Sequence, residues 1–234
     1  MLFKFQTPSF TKDFWSFYFP PLIYVLALIF IFIFPDYYYF FGAKDHEGGV
    51  VENLTFIALL PGIFIGVKTL IYFFKKTKLP FVFWIALWSL AMFYFAGEEV
   101  SWGQWWFRWK TPESIALLNE QNETNLHNMS SYLNQYPRTL VELYFLFLPL
   151  LHFFPNLFQL LKKKIPYGDF ILPEKNLLIC SFLFLSVTLI KPIGKILNFD
   201  AFVKYSTSEQ REYFLAVALT LYMFRLVKKY RSLL

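Results

Sequence analysis

The chain has 234 residues, of which 57% are hydrophobic, 23% aromatic and only 16% charged, and its formal net charge is +6. A soluble protein carries about 25% charged residues, so this composition excludes an ordinary water-soluble domain. The apolar residues fall in long blocks, which is typical of transmembrane helices and not of the amphipathic stripes of a soluble core. The composition therefore predicts an all-α, polytopic transmembrane helical bundle surrounded by the lipid bilayer.

Six apolar blocks approach the length of about 20 residues that a helix needs to cross the hydrocarbon core. The fifth is the weakest, because its uninterrupted apolar part runs only from Leu177 to Ile190. To span, it would need thinning of the bilayer or snorkelling by Lys175 and Lys191. No small-residue cleavage site follows the first block, which favours a retained span over a signal peptide. Residues 1–234 are expected to form a single membrane domain with spans at 17–34, 50–74, 80–97, 138–161, 174–192 and 209–227.

The distribution of charge predicts the direction of these spans. With both termini in the cytoplasm, 14 of the 22 Lys and Arg residues lie inside, and 13 of the 16 acidic residues lie on the outer half. The excess of basic residues inside favours an N-in, C-in orientation. Basic cytoplasmic flanks attract anionic lipid, so the positive charge does not indicate a nucleic-acid partner.

The longest polar connection, residues 98–137, follows the third block on the predicted outer side. A connection of this length is expected to have structure of its own. Thr111 followed by Pro112 is typical of a helix N-cap and a first helical residue, which predicts a short helix over Glu113–Glu120.

Glu98 and Glu99 are the first candidates for a functional site. An acidic residue at the bilayer centre costs about 2.5–3.5 kcal/mol on insertion scales, so two neighbours need cations, protonation or water. Neutralisation by Arg108, Lys110 or Arg138 is the purely structural interpretation. The functional interpretation is that the pair binds a metal or acts as a general acid or base.

His127, in the stretch NETNLHNMSS, is the second candidate. An imidazole can bind a metal and can carry protons near neutral pH, although a hydrogen-bonded surface histidine is an equally good interpretation. Glu123 precedes it by four residues, so on a helical turn the two side chains would face the same direction.

Further acids lie at the predicted depth of Glu98 and Glu99. Glu52 begins the second block, and Glu209 and Glu212 begin the sixth. The helix dipole favours acids at these positions, which is a structural explanation for all three. Their convergence around one outer cavity is the geometrically possible alternative.

Six of the seven tryptophans lie between Trp84 and Trp109. Tryptophan collects at membrane interfaces because its ring is amphipathic, so an interfacial belt is the simplest interpretation. A tryptophan-lined groove for lipid or sugar is the alternative.

Several stretches resemble a family of bacterial polytopic membrane proteins: HEGGVVENLT, GEEVSWGQ, TPE, NEQNETNLHN and EQREYFLAVALTLYMFRL. The resemblance extends from about residue 45 and is most specific over residues 97–128. It implies a location in the bacterial cytoplasmic (inner) membrane but no activity. Trp105 and Trp106 stand where a basic residue is expected, which puts charge pairing there in doubt. The residues that it singles out are Glu52, Glu98, Glu99, Ser101, Trp102, Gln104, Asn125, His127 and Asn128.

The first functional hypothesis is a membrane-embedded hydrolase or transferase for a lipid or lipid-linked substrate at the outer face. In this hypothesis Glu98, Glu99 and His127 are catalytic. The side chains that would orient the substrate are Ser101, Gln104, Asn125 and Asn128. A non-catalytic assembly or accessory protein and a transporter are the alternatives, and the clustering of the acids at one face counts against transport.

The same hypothesis allows a divalent metal as a cofactor. Carboxylate and imidazole ligands suit zinc or manganese, and a zinc enzyme needs about three protein ligands and an open position. The candidate ligands are Glu52, Glu98, Glu99 and His127.

Overall fold

A computed structural model describes residues 21–23, 25–26, 29, 33–34, 49–73, 79–118, 123–125, 131–198 and 208–231. Every regular element within these ranges is helical, which confirms the predicted all-α class for them. The longer helices are α1 (Val50–Phe73), α2 (Leu79–Glu99), α3 (Ser131–Glu142), α4 (Pro155–Lys164), α5 (Leu178–Leu197) and α6 (Ser208–Arg231).

Three of the described segments are long and apolar enough to cross a membrane: Val50–Tyr72, Leu79–Glu99 and Gly168–Leu197. They coincide with the second, third and fifth predicted spans and support an integral membrane protein. Most of the first predicted span, residues 17–34, lies outside the described residues.

The fifth block is longer than its composition suggested. α5 continues through Lys191 and Pro192 and ends only at Leu197, so the helix has 20 residues. The side chains of Lys191 and Lys195 are not buried. Long basic side chains can extend toward water, which explains why the helix does not stop at the first lysine.

The fourth predicted span, 138–161, is not one continuous helix. α3 passes into a π-helical turn at Leu143–Phe147 and a 3-10 turn at Leu148–Phe153. The chain breaks at Phe154 (φ −117°, ψ 74°), and α4 begins with Pro155 at its first position. Proline fits the first turn of a helix but cannot donate a hydrogen bond within one, which favours a new start there.

α6 is the central helix. Its residues from Tyr213 to Met223 are all buried, and it contacts α1, α2 and α5. It falls outside the three apolar segments because Arg211, Glu212 and Arg225 lie within it. Since protein surrounds most of its length, its side chains need not be apolar on every face.

α1 and α6 approach closely at Gly62. A Cβ atom on Gly62 would lie 2.8 Å from Thr220 Oγ1 and 2.9 Å from Met92 Sδ of α2. Thr220 Oγ1 donates a hydrogen bond to the carbonyl of Ala58 (2.7 Å). A small residue at such a crossing lets the backbones approach, as is common between membrane helices. This crossing brings α1, α2 and α6 together at one point.

Candidate functional site

The chain reverses direction sharply after α2. Ser101, Trp102 and Gly103 all have positive φ angles (45°, 56° and 92°), and such a value is unusual for a residue as large as tryptophan. The reversal folds the Trp102 ring back over α2, where Nε1 donates to Glu98 Oε1 (2.7 Å). A Cβ atom on Gly97 would lie 2.7 Å from that ring. The GEEVSWG motif therefore encodes a tight turn that fixes Glu98.

Ser101 lies in a small buried network of hydrogen bonds. Its Oγ donates to Glu123 Oε2 (3.0 Å), and it accepts from Asn125 Nδ2 (3.1 Å) and Trp105 Nε1 (3.2 Å). Asn125 Nδ2 also donates to Glu123. Ser101 and Asn125 were predicted to orient a substrate. In the structure they are hydrogen-bonded to each other and to Glu123, and these bonds hold residues 123–125 against the turn.

Gln104 has a similar role. Its Nε2 donates to Thr111 Oγ1 (2.9 Å), and its Oε1 accepts from the backbone N–H of Thr124 (2.6 Å). Thr111 is therefore not the predicted helix cap: Pro112 occupies the N-cap position, and the helix covers only Glu113–Ala116. His127 and Asn128, the other predicted members of the site, lie outside the described residues.

Two arginines and two glutamates form an ion network beside the turn. Arg138 Nε lies 3.0 Å from Glu142 Oε1, and a second guanidinium nitrogen pairs with Glu212 of α6. Arg211 Nη2 contacts both oxygens of Glu142, at 3.1 and 2.9 Å. Arg138 thus makes its direct contacts with Glu142 and Glu212, and it acts on Glu99 only as a neighbouring charge.

α2, α3 and α6 enclose a cavity of about 170 Å³ next to this network. Its polar end is formed by Glu98, Glu99, Arg138 and Glu212. The remaining lining residues, most of them apolar, are Trp88, Ala91, Tyr94, Phe95, Pro137, Val141, Leu215 and Leu219.

Three polar atoms of this lining are buried and have no hydrogen-bond partner among the described residues. They are Glu99 Oε2, Arg138 Nη2 and Trp88 Nε1. Glu99 as a whole is only 9% exposed. Buried polar groups are nearly always hydrogen-bonded, so these three atoms are exceptions among the described residues.

The exposed lining residues show where the cavity opens. Tyr94 of α2 is 40% exposed and Pro137 of α3 is also exposed, whereas Leu215 and Leu219 of α6 are buried. The cavity is therefore a groove between α2 and α3, with α6 as its floor. The lining residues of α2 extend from Trp88 to Glu99, over which the helix rises about 16 Å.

The predicted acids at the helix starts are placed near Glu99. Glu212, Glu209 and Glu52 all lie close enough to interact with it electrostatically. Glu52 Oε2 also accepts a hydrogen bond from the backbone N–H of Gly49 (2.8 Å) at the start of α1. The polar end of the groove therefore brings several acidic side chains close to one another and to Arg138.

The described residues do not assemble a metal site. Among them, no group of three or more His, Cys, Asp and Glu side chains is placed to hold a metal ion. Glu52 and Glu98 are engaged by Gly49 and Trp102 instead. The predicted zinc or manganese set includes His127, which is not described, and so stays a prediction.

The predicted site residues did not include Trp88, Tyr94 or Phe95, which line the groove. A usable signal was present, because residues 88, 91, 95 and 98 follow one another at the spacing of a single helix face. Residues 212, 215 and 219 of α6 repeat that spacing. However, the sequence of either helix does not show that this face of α2 packs against this face of α6.

Comparison of the chain with protein-family models, with curated proteins and with solved structures gives no match. The assignment of a function therefore rests on the groove and its surroundings.

Proposed function

We propose that this protein is a six-span membrane enzyme, N-in and C-in, that binds a lipid or lipid-linked substrate in the groove between α2 and α3. Glu99 and His127 would provide acid–base chemistry at the outer face of a bacterial cytoplasmic membrane. The observation that carries this proposal is an apolar groove that ends at a buried carboxylate without a hydrogen-bond partner among the described residues.

The walls and opening of the groove support a lipid as its occupant. Ligand pockets are mostly apolar with a few converging polar groups, and this one follows that pattern. A cavity of about 150 Å³ admits a molecule such as benzene, so a volume near 170 Å³ fits a headgroup or a chain segment. The rest of a lipid would lie in the bilayer beside α2 and α3.

Glu99 is a better catalytic candidate than Glu98. The Glu98 carboxylate accepts a hydrogen bond from Trp102 and lies beside Tyr94, which hold it in place. Glu99 lines the groove, and its Oε2 has no hydrogen-bond partner among the described residues. In this proposal its carboxyl group takes a proton from an attacking hydroxyl group or returns one to a leaving group. If the attacking hydroxyl group belongs to water, the enzyme is a hydrolase. If it belongs to another alcohol, the enzyme is a transferase.

Occupancy of the groove is testable with a pair of variants on α2. Ala91→Phe places a ring inside the groove, whereas Leu87→Phe adds the same ring at an exposed position. After purification in mild detergent, we expect Ala91→Phe to retain several-fold less lipid than the native protein or Leu87→Phe. Equal lipid content in all three proteins would contradict the groove as a lipid site.

Catalysis requires a separate measurement. The protein reconstituted in vesicles of a bacterial polar lipid extract should convert one lipid class, as followed by mass spectrometry of substrates and products. Glu99→Gln should abolish that conversion while the protein stays folded and continues to retain lipid. Retention of lipid without any conversion by the native protein would overturn the enzymatic part of the proposal.

That outcome would favour the second candidate, a non-catalytic accessory protein. Its support is the hydrogen bonding of Ser101, Gln104 and Asn125 within their own segment, which makes the turn a rigid structure. Trp106 and Phe107, which are 48% and 75% exposed, project from this turn and would provide a contact surface.

A further inference from the structure

α4 (Pro155–Lys164) is a short helix whose outward surface has no part in the proposed function. We propose that it lies along the membrane interface at the end of the bundle opposite the polar end of the groove. There one face of the helix enters the lipid, and its lysines bind the headgroups of anionic phospholipids. This inference depends neither on the groove nor on any catalytic activity.

The depth at which α4 begins follows from the helical segments that lead to it. A helix rises about 1.5 Å per residue, so the chain advances about 24 Å from Arg138 in the ion network to the break at Phe154. Arg138 pairs with Glu212 of α6, and from Glu212 to Lys229 α6 rises about 26 Å. Both lengths approach the ~30 Å of the hydrocarbon core, so α4 begins near the far interface.

The last turn of α4 is held at the same depth by ion pairs and hydrogen bonds. Lys162 pairs with Asp169, and Lys229 donates a hydrogen bond to the backbone carbonyl of Asp169. Lys229 and Arg225 both pair with Glu174, which precedes α5. Since α4 begins and ends at one level, it runs along the interface, and with 10 residues it is too short to cross the bilayer.

The helix has three faces, as expected from the 100° that separates successive residues. Phe158 is buried and packs against the ring of His152, with ring centroids 3.9 Å apart, so its face meets the protein. Leu157 and Leu160 form an apolar face and are 45% and 48% exposed. The third face is polar and exposed, and it consists of Asn156, Gln159 and Lys163. Protein, lipid and water are the surroundings that suit these faces, as in helices that lie in a membrane interface.

The charge at this end of the bundle identifies the lipid as anionic. Segments 152–175 and 225–229 contain seven Lys and Arg residues but only two acidic residues. Lys163 and Lys164, at the end of α4, are exposed beside its apolar face. A leaflet that contains anionic phospholipid offers hydrocarbon to the leucines and phosphate to the lysines at the same interface.

Nitroxide labels at two adjacent positions test the placement of α4. In a Cys180→Ser background, the full-length protein carries one label at Leu160→Cys or, as the matched control, at Gln159→Cys. Each protein is reconstituted in vesicles of equimolar phosphatidylcholine and phosphatidylglycerol. Collisions with dissolved oxygen report contact with lipid, and collisions with a water-soluble nickel chelate report contact with water. We expect oxygen to relax the Leu160→Cys label several-fold more than the chelate does, and the reverse for Gln159→Cys.

Other surroundings of the apolar face would give different results. Strong relaxation of the Leu160→Cys label by the nickel chelate would place this face in water. A label that neither reagent reaches would show that protein, such as a second copy of this chain, covers the face. Either result would overturn the inference.

The preference for anionic headgroups requires a measurement of retained lipid. The purified protein is equilibrated with mixed micelles of equimolar dioleoyl-phosphatidylglycerol and dioleoyl-phosphatidylcholine and washed, and its lipid is quantified by mass spectrometry. We expect phosphatidylglycerol to be enriched. The double variant Lys163→Gln, Lys164→Gln should lower this enrichment several-fold, because each lysine near a membrane surface contributes a factor of about five. Lys110→Gln, at an exposed lysine beyond the end of α2, is the control and should leave it unchanged.

Two outcomes would contradict the headgroup assignment. Equal enrichment in the native protein and the double variant would show that α4 does not bind the headgroups. Loss of the retained phosphatidylglycerol on addition of inorganic phosphate would show that the lysines recognise a free anion instead of a lipid.

Discussion

Glu98 and Glu99 are adjacent in sequence, yet their side chains have different surroundings. Successive residues of a helix point about 100° apart, so one face of α2 turns Glu98 toward Trp102. Glu99 instead lies near the acids of α1 and α6, and its Oε2 has no hydrogen-bond partner in the described part of the chain. The two carboxylates therefore differ in position: Glu98 holds the turn through Trp102, and Glu99 lines the groove.

The hydrogen bond between Trp102 and Glu98 can be removed by replacing the indole with a phenyl ring, provided that a control variant loses the same atoms. Trp102→Phe leaves a buried carboxylate without one donor, which should lower the free energy of unfolding by about 1–3 kcal/mol. Trp106→Phe is the control, because its indole bonds to Asn53 at an exposed position (3.1 Å). Thermal unfolding in detergent measures the stability of both variants. Equal stability of the two would contradict a structural role for the Trp102 contact.

Glu142 is the centre of the ion network, with its side chain only 8% exposed and bonded to both Arg138 and Arg211. Glu142→Gln leaves two guanidinium groups without their carboxylate, and breaking a buried ion pair costs on the order of 3 kcal/mol. We therefore expect a lower midpoint of unfolding and reduced abundance in the membrane. Glu113→Gln should be neutral, and a loss of similar size there would show that the effect does not come from burial.

At the scale of elements, α2 has a double function. One face carries Trp88, Ala91 and Phe95 into the groove, while Leu90 and Phe93 on another face are exposed, as expected beside lipid. α3 provides the facing wall and passes into a π-helical turn immediately after Glu142. Such turns often occur at functional sites, and here it lies at the end of the ion network.

The crossing of α1 and α6 should be sensitive to side-chain size at Gly62. Gly62→Val would force its methyl groups against Thr220 and Met92, and overpacking of this kind costs about 1–3 kcal/mol. Leu60→Val, on the exposed face of the same helix, should have little effect. The measurement is the midpoint of thermal unfolding of each variant. A Gly62→Val protein as stable as the Leu60→Val protein would contradict the close packing at Gly62.

At the scale of the whole molecule, the proposed orientation can be tested by labelling. In a Cys180→Ser background, Glu113→Cys should react with a membrane-impermeant maleimide from outside the cell, and Lys163→Cys only after permeabilisation. The reason is the excess of basic residues on the predicted inner side. Labelling of Lys163→Cys in intact cells would reverse the orientation and would move the groove's polar end to the cytoplasm.

Part of the site was accessible from the sequence. Glu98 and Glu99 stood out because paired carboxylates are costly at the end of an apolar block. The ion pair between Arg138 and Glu142 also follows from a local pattern, since residues four apart on a helix are neighbours. The contact of Arg138 with Glu212, 74 residues further along the chain, depends on how α3 packs against α6 and has no local signal.

Hydropathy determined the class of protein and the positions of α1 and α2, because transfer of apolar side chains from water to lipid is a property of each segment by itself. The break at Phe154, the continuation of α5 to Leu197 and the burial of α6 were decided by the tertiary structure. The groove was also decided by the tertiary structure, because its walls come from three helices. A carboxylate that lacks a hydrogen-bond partner can be recognised only when the neighbouring donors are known. Segment hydropathy is local, whereas the satisfaction of a buried polar group is a property of the packed molecule.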